Sequence, residues 1–379
     1  MQSLRIAFLT GSLGMGGAEK QLVYLVRALH KAGVELHLFT LAEHGYYEPA
    51  LQNLGIPLVW IGQSGNELRR LQVLVSHMRA FKPHIIHAGQ LYSSFYVGAA
   101  GRLTGGLSFG NMRSNLANSQ RMGRIRFWLA TKTPTAIIAN SQTALDELQA
   151  IGIRRADTLY LLNNVIDLDA FDAQLSPNSP ATQAHDNIQV AFVGRLRNVK
   201  RIDRFLEALH LARQQAPNVT GLIAGEGPEQ EKLQQYAGEL GLLPDGVRFL
   251  GARDDVPAIL NNSHMLVLCS DHEGFSNVLL EAMAARRPVI TTPAGDSTMV
   301  VQDQKTGLVA DFDPQSIATH IVTLAQNSTL RQQLGTAGRA RVETHYSFEG
   351  LHERTLDIYM AAAQKQGRQN IAQLTRNHV

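Results

Sequence analysis

Gln189-Val190-Ala191-Phe192-Val193-Gly194-Arg195-Leu196-Arg197-Asn198-Val199-Lys200 opens on a short apolar run, breaks at a glycine and presents three cations before a helical pattern begins at 201. Such a run, bounded by glycine, reads as a buried strand, and the amphipathic stretch 201–215 reads as the helix that covers it. The alternation continues downstream with strand 219–224, helix 229–239, strand 247–250, helix 255–261, strand 265–269, helix 277–286 and strand 288–292. Strands apolar along their whole length and separated by helices belong to a parallel sheet covered on both faces.

Upstream the same alternation has already run once. Strands are expected near 4–10, 34–41, 57–61, 84–88, 107–112, 135–140 and 158–163. Helices fill the gaps at 18–31 (Leu22, Leu25, Val26 and Leu29 on one face), 67–81, 91–103, 120–132 and 142–150. Between the two series the pattern lapses: Asp172 to Asn187 is rich in Pro, Ser, Asn, Gln and Ala, as an exposed linker is. A chain of 379 residues is too long for one ordinary core. The expected organisation is an N-terminal Rossmann-like domain over 1–168, a linker over 169–187 and a C-terminal Rossmann-like domain over 188–345. Residues 346–379 then supply a helix, near 348–360, that returns to the first domain, and a tail. The fold class is α/β, two Rossmann-like doubly wound domains facing a central cleft. Ligands of such sheets lie beyond the carboxyl ends of the strands, which suits a reaction between two substrates.

Composition removes several alternatives. Hydrophobic residues at 44% and charged ones at 18% describe an ordinary globular chain rather than a disordered one. One cysteine, Cys269, excludes a disulfide framework and a multi-cysteine metal site, and its place after Met265-Leu266-Val267-Leu268 reads as strand filler. The apolar run Leu4–Leu9 is too short for a secretory signal, and no 18-residue apolar stretch follows, so a cytoplasmic protein is expected.

Net charge is only +3, but it is unevenly spread. From Leu68 to Leu145 there is no acidic residue, against ten basic ones: Arg69, Arg70, Arg79, Lys82, Arg102, Arg113, Arg121, Arg124, Arg126 and Lys132. Such a block attracts polyanions or an anionic bilayer surface. Nucleic acid is not the expected partner, because Phe95, Tyr96, Phe109, Phe127 and Trp128 fall largely in core-like positions rather than along a groove. Arg121, Arg124 and Arg126 share a flank of the expected helix 120–132, with Arg113 nearby and Trp128 placed for a headgroup boundary. The inner face of a membrane is therefore a candidate contact.

Three segments carry chemistry. Gly11-Ser12-Leu13-Gly14-Met15-Gly16-Gly17-Ala18-Glu19 joins the first strand to a helix, where a backbone free of side chains can approach an anion. The spacing does not match a dinucleotide fingerprint. Arg195, Arg197 and Lys200 stand at a strand's carboxyl end, where cations can stabilise the charge that grows on a departing diphosphate. Glu273-Gly274-Phe275-Ser276-Asn277-Val278-Leu279-Leu280-Glu281 sets two carboxylates around a helix start, with Ser276 or Asn277 as N-cap and Glu281 about one turn in.

Taken in order, Gly16-Gly17-Ala18-Glu19, Asn164-Val165-Ile166-Asp167 with Phe171, Gly194-Arg195 with Lys200, Gly225-Glu226-Gly227-Pro228 and the Glu-x7-Glu segment resemble the large retaining glycosyltransferase family numbered four. The resemblance runs over roughly residues 4 to 360. It implies the GT-B fold and metal-independent transfer, with retention, of a sugar from a nucleoside diphosphate, UDP before GDP. The acceptor would be a glycan or lipid-linked glycan in bacterial surface polysaccharide or lipopolysaccharide assembly. No cofactor is implied beyond the nucleotide sugar. By the same resemblance Arg195 and Lys200 clamp the diphosphate, and Glu273 holds hydroxyls of the transferred sugar. Gly274 and the amides of Phe275, Ser276 and Asn277 support sugar and phosphate, and Glu281 accepts from the ribose. Gly194, Gly225 and Gly227 border the nucleotide, and Gly16 and Gly17 meet the phosphate from the other domain. A nucleotide-sugar 2-epimerase would share the architecture, but it needs paired acid and base groups at the sugar ring that the segment does not supply.

Asp167-Leu168-Asp169 imitates a manganese-binding D-x-D, yet Asp167 matches a structural position of the hinge motif. The 14 histidines show no metal-ligand spacing. The chain departs from the family at three places. His87-Ala88-Gly89 keeps only the first histidine of His-x-His, Asn111-Met112-Arg113 replaces a histidine at a strand end, and Gly295-Asp296-Ser297-Thr298-Met299 replaces Gly-Gly-x-Pro-Glu. Residues expected on the acceptor or membrane side are His87, Arg113, Arg121, Arg124 and Arg126.

Overall fold

Thirteen strands build two sheets in a computed structural model that describes residues 3–63, 65–113, 116–175 and 187–378. The first seven are β1 Arg5–Thr10, β2 Glu35–Thr40, β3 Leu58–Trp60, β4 Ile85–Ala88, β5 Leu107–Met112, β6 Ala136–Ala139 and β7 Leu159–Leu161. They pair in parallel in the order β3-β2-β1-β4-β5-β6-β7. The other six are β8 Ile188–Val193, β9 Val219–Ala224, β10 Val247–Gly251, β11 Met265–Leu268, β12 Val289–Thr291 and β13 Leu308–Val309. Their order is β10-β9-β8-β11-β12-β13, again all parallel. Both orders reverse direction beside the first strand of their series, the signature of a doubly wound sheet.

The chain divides into two units, Met1–Val165 with Phe348–Val379, and Ile166–Ser347. In the first, Leu4 just before β1 and Ile6 and Phe8 within it meet Leu22, Leu25 and Leu29 of helix Gly17–Lys31. The helices Leu351–Lys365 and Gln369–Arg376 add Leu351, Leu356, Tyr359 and Ile371 to the same core. The helix expected at 348–360 thus starts and ends a few residues later. Gln21 fastens the start of the hinge motif: its Nε2 donates to the Val165 carbonyl (2.7 Å) and its Oε1 accepts from the Val165 N–H (2.9 Å).

Helix starts follow the capping rules where a short polar side chain precedes an amphipathic run. Asn66 accepts from the amides of Leu68 and Arg69 ahead of helix Glu67–Phe81, and Ser141 accepts from Ala144 ahead of helix Gln142–Ala150. Two expectations change. The single helix expected over 120–132 is two, Leu116–Gln120 and Arg124–Lys132, because Gly123 stands at φ +94 between them. The linker expected from 169 begins instead with helix Leu168–Asp172, capped by the Asp167 carboxylate on the Ala170 N–H (3.1 Å). That contact gives Asp167-Leu168-Asp169 a structural use. Residues 176–186 of the expected linker lie outside the described residues. Among the described residues, no helix is long and apolar enough to cross a membrane.

His87, expected on the acceptor side, is fully buried at the end of β4. It lies between Phe8, Phe109 and Tyr359, with Nδ1 hydrogen-bonded to the Tyr359 hydroxyl (2.5 Å). Burial, and then the charge of Arg113, lower its pKa from 6.5 to about 3. The unfolded ring takes a proton below about pH 6.5, whereas the folded ring refuses it until about 3, so this stability is present above 6.5 and drains as pH falls. Between pH 6.5 and 5 the unfolding free energy of wild type should therefore fall more steeply than that of His87→Gln, the excess slope approaching about 1.4 kcal/mol per pH unit. Parallel curves in denaturant titrations would show that the ring is not held neutral.

Candidate functional site

The second sheet presents its chemistry at the carboxyl edge of β8, β9, β11 and β12. After β8 the chain runs beside the loop after β9: the Gly194 N–H donates to the Ala224 carbonyl and the Leu196 N–H to the Glu226 carbonyl, both at 2.9 Å. Gly225 sits at φ +140, and a Cβ there would strike the Gly194 carbonyl oxygen, so only glycine lets the two loops touch.

Asn198–Lys200 forms one turn of 3-10 helix, and Arg201 takes left-handed backbone (φ +50) before helix Ile202–Gln215. The Arg201 guanidinium grips both Asp203 oxygens and also Asp271, which follows β11. Arg204 is buried, donating to the Cys269 carbonyl (2.6 Å) and to Asp271 Oδ1 (2.8 Å). The Asp271 N–H in turn donates to the Val199 carbonyl (3.0 Å). Cys269 is packed in this core, where burial pushes its thiol up to about 12, and its Sγ reaches the Arg201 carbonyl (3.1 Å). It is an unreactive filler, as its sequence position suggested.

This clamp brings together two residues 73 positions apart. Lys200 Nζ donates to Glu273 Oε1 at 2.5 Å, and Ser270 Oγ donates to the same oxygen at 2.6 Å. Both members of the pair are largely buried. Arg195 is exposed and forms no ion pair among the described residues. Behind Glu273, the Thr292 hydroxyl donates to the Ser270 carbonyl (2.8 Å) and the Asp296 N–H to the Gly274 carbonyl (3.2 Å). Gly295 (φ +54) lies where a Cβ would meet the Glu273 carbonyl. Helix Asn277–Ala284 starts one residue after Ser276, whose side chain makes no capping bond. The Phe275 ring is core, edge-on to Tyr346 at 5.5 Å, and Glu281 is partly exposed on the second turn. Ser270, Asp271, Thr292 and Arg204 were not singled out from sequence; the pair Ser270-Asp271, directly after an apolar strand, was the available signal. A cavity of about 770 Å³ in this unit is lined in part by Asn187, Gln189 and His264, at the amino ends of the strands, and includes none of Lys200, Glu273 and Glu281.

The first unit has its own polar edge. Gly16 caps helix Gly17–Lys31, and the Glu19 side chain folds back over it. Glu19 Oε1 accepts from Gln90 Nε2 (2.7 Å), while Gln90 Oε1 accepts from the Gly11 N–H (3.2 Å) and the Thr10 hydroxyl (3.1 Å). Tyr92 lies against Gly11, and burial together with Glu19 pushes its phenol up to about 12. Arg113, just beyond β5, donates from Nη1 to Asn164 Oδ1 (3.1 Å), which also accepts from Asn140 Nδ2 (3.3 Å). Arg121, Arg124 and Arg126 are all exposed, Arg121 on the turn between the two helices, and Arg126 pairs with Glu67 (3.1 Å). Phe127 is core, while Ile125 is 76% and Trp128 52% exposed.

Comparison with known proteins follows the division into units. A model described as glycosyl transferases group 1 matches residues 178–341, and one described as glycosyltransferase family 4 matches residues 15–170. A lipopolysaccharide core biosynthesis glycosyltransferase of Rhizobium meliloti, LpsD, is 25% identical over 360 residues, 91% of this chain and 95% of its own. The capsular polysaccharide biosynthesis glycosyltransferase CapM of Staphylococcus aureus is 26% identical over 234 residues, 59% of this chain and 61% of its own. Among solved structures, Anabaena HepE in complex with UDP and glucose superposes with a TM-score of 0.81 at 22% identity, over 93% of this chain and 98% of that one.

The Lys200–Glu273 pair generates a prediction that needs no ligand. Unfolding free energies of wild type, Lys200→Met, Glu273→Gln and the double variant should yield a coupling of about 0.5–3 kcal/mol. Strict additivity would show that the two side chains do not meet in solution.

Proposed function

The chain belongs to the GT-B glycosyltransferases, and from that premise we propose that it is a retaining, metal-independent transferase moving a sugar from a nucleoside diphosphate, UDP before GDP, onto a glycan or lipid-linked glycan of a bacterial surface polysaccharide. The observation that carries this is the Lys200–Glu273 pair at the carboxyl edge of the second sheet, just ahead of the start of helix Asn277–Ala284. A helix N-terminus and a positioned cation favour a diphosphate, and they favour it most as the bond to the sugar breaks and charge moves onto the leaving oxygen.

The roles follow from placement. Arg195, exposed at the loop after β8, and Lys200 take the phosphates. Lys200 exchanges its contact with Glu273 for the ligand, which frees that carboxylate for hydroxyls of the sugar. Ser270 then holds Glu273 in orientation. Glu281, one turn along the helix, accepts from the ribose. The names of LpsD and CapM support an acceptor in lipopolysaccharide or capsule, and the HepE complex with UDP and glucose supports a uridine donor.

The place of work is part of the proposal. Exposed Ile125 and Trp128 sit among Arg121 and Arg124, and the contact between Arg126 and Glu67 draws in helix Glu67–Phe81, where Leu68 is 70% exposed. Apolar and basic groups mixed on one face suit the headgroup boundary of an anionic membrane, each free cation adding about 1 kcal/mol. Because Arg126 is already paired, Arg121 and Arg124 carry more of this attraction than it does.

Ligand binding, turnover and product analysis test these readings. UDP should raise the melting temperature equally with and without EDTA. Glu281→Ala should weaken UDP by about 1.5–3 kcal/mol, while Glu273→Ala should keep UDP and lose turnover, and an NMR time course should show the donor's anomeric configuration in the product. Loss of UDP binding on chelation, or an inverted product, would overturn the corresponding part.

For the membrane, wild type should sediment with anionic vesicles at low salt and leave them at high salt, while a variant with Arg121→Ser, Arg124→Ser and Trp128→Ser stays in the supernatant and still binds UDP. Wild type that remains in the supernatant at low salt would remove the membrane contact.

A further inference from the structure

The carboxyl edge of the first sheet holds a charge that the protein itself does not answer. Arg113 follows β5 and Asn140 follows β6, neighbours in the sheet through the Met112–Ala139 register. Arg113 spends one of its five donors, on Asn164 Oδ1. Its Nε is shut from solvent and bonded to nothing, and no carboxylate lies within ion-pair distance among the described residues. The acid nearest in influence is Glu19, whose Oε1 is already engaged by Gln90. Asn140 Oδ1 is likewise buried without a partner. Of the four such orphaned side-chain atoms among the described residues, two therefore belong to residues that follow neighbouring strands and share Asn164 Oδ1 as acceptor.

A buried guanidinium nitrogen without a partner is costly, and an oxygen arriving from outside would remove that cost. The orphans are complementary, a cationic donor and a neutral acceptor, so the matching group presents an anionic oxygen next to a hydroxyl. Arg113 remains partly exposed as a residue, which leaves a path to it. We propose that Arg113, with Asn140 beside it, recognises a phosphate or carboxylate carried by a sugar that this chain acts on. This rests on the glycosyltransferase reading above and narrows it: one of the two substrates is an anionic sugar. Arg113 is a specificity residue, and the anion belongs either to the acceptor or to the transferred sugar.

Calorimetry in the presence of UDP would compare glucose with glucose 6-phosphate and with glucuronate, the acceptor arm. Competition between UDP-glucose and UDP-glucuronate forms the donor arm. Wild type should prefer the charged member of one arm by about ten- to a hundredfold; Arg113→Gln should lose that preference and Arg113→Lys should keep part of it. UDP itself should bind all three proteins alike. Without ligand, Arg113→Gln should melt at or above wild type, because the variant removes an uncompensated cation while Asn164 Oδ1 keeps its bond from Asn140. Equal binding of charged and neutral probes in both arms, or a preference that survives in Arg113→Gln, would overturn the proposal while leaving the nucleotide site intact. If wild type does not bind UDP, the nucleotide-sugar reading falls, and the Arg113 proposal falls with it.

Discussion

Asp271 is the group on which the second unit's polar edge depends. It neutralises a buried guanidinium, Arg204, and helps to hold Arg201 in a backbone region that costs a residue with a Cβ about 1–3 kcal/mol. Its own N–H ties the loop after β11 to the turn that carries Lys200. One carboxylate thus fixes the approach of two loops about 70 residues apart in sequence. The contact between Lys200 and Glu273 is the product of that fixation, since two long side chains on unclamped loops would lose most of their attraction to side-chain entropy. A clamp of structural charges placed behind Lys200 and Glu273 holds the two loops together independently of the contact that those side chains make.

Much of this was legible in the sequence because parallel sheets leave a strong trace. The central strands are buried on both faces and so read as unbroken apolar runs, and the expected strands and longer helices through residue 292 match within a few residues, whereas the short helices Glu48–Gln52 and Leu168–Asp172 have no counterpart in that reading. The larger gap lies beyond. Helices Pro314–Gln326 and Ser328–His345 carry clear starts, with Asp313 accepting from the Ser316 N–H and Asn327 from the Leu330 N–H, but they were not read because no long strand follows to renew the alternation. Helix Arg124–Lys132 was extended too far because one glycine within an amphipathic stretch is a weak break, and only its backbone, at φ +94, decides the matter. In the site, residue types and order pointed to Lys200 and Glu273, but nothing in the spacing said that they touch. The supporting residues escaped for a physical reason: Ser270, Thr292 and Arg204 act through carbonyls and through one another, and such contacts have no period and no motif.

His87 shows the same limit from the other side. A histidine at the end of a central strand of an α/β sheet stands where catalytic groups stand, and its neighbours in sequence do not say whether the strand end is open. Here Tyr359, from a helix 272 residues later, closes it. The closure matters beyond the histidine. A neutral imidazole at the heart of the edge contributes no counter-charge, and Glu19 is turned towards Gln90, so Arg113 is left as a cation in a region of low dielectric with amides for company. Compare the second unit, where Arg201, Arg204 and Lys200 each face a carboxylate within the fold. Unpaired charge in a dry place is unstable unless something else gains from it. The two polar edges therefore differ: in the second unit Arg201, Arg204 and Lys200 are answered by Asp203, Asp271 and Glu273 while Arg195 stands exposed, and in the first unit the buried Arg113 has only amides beside it.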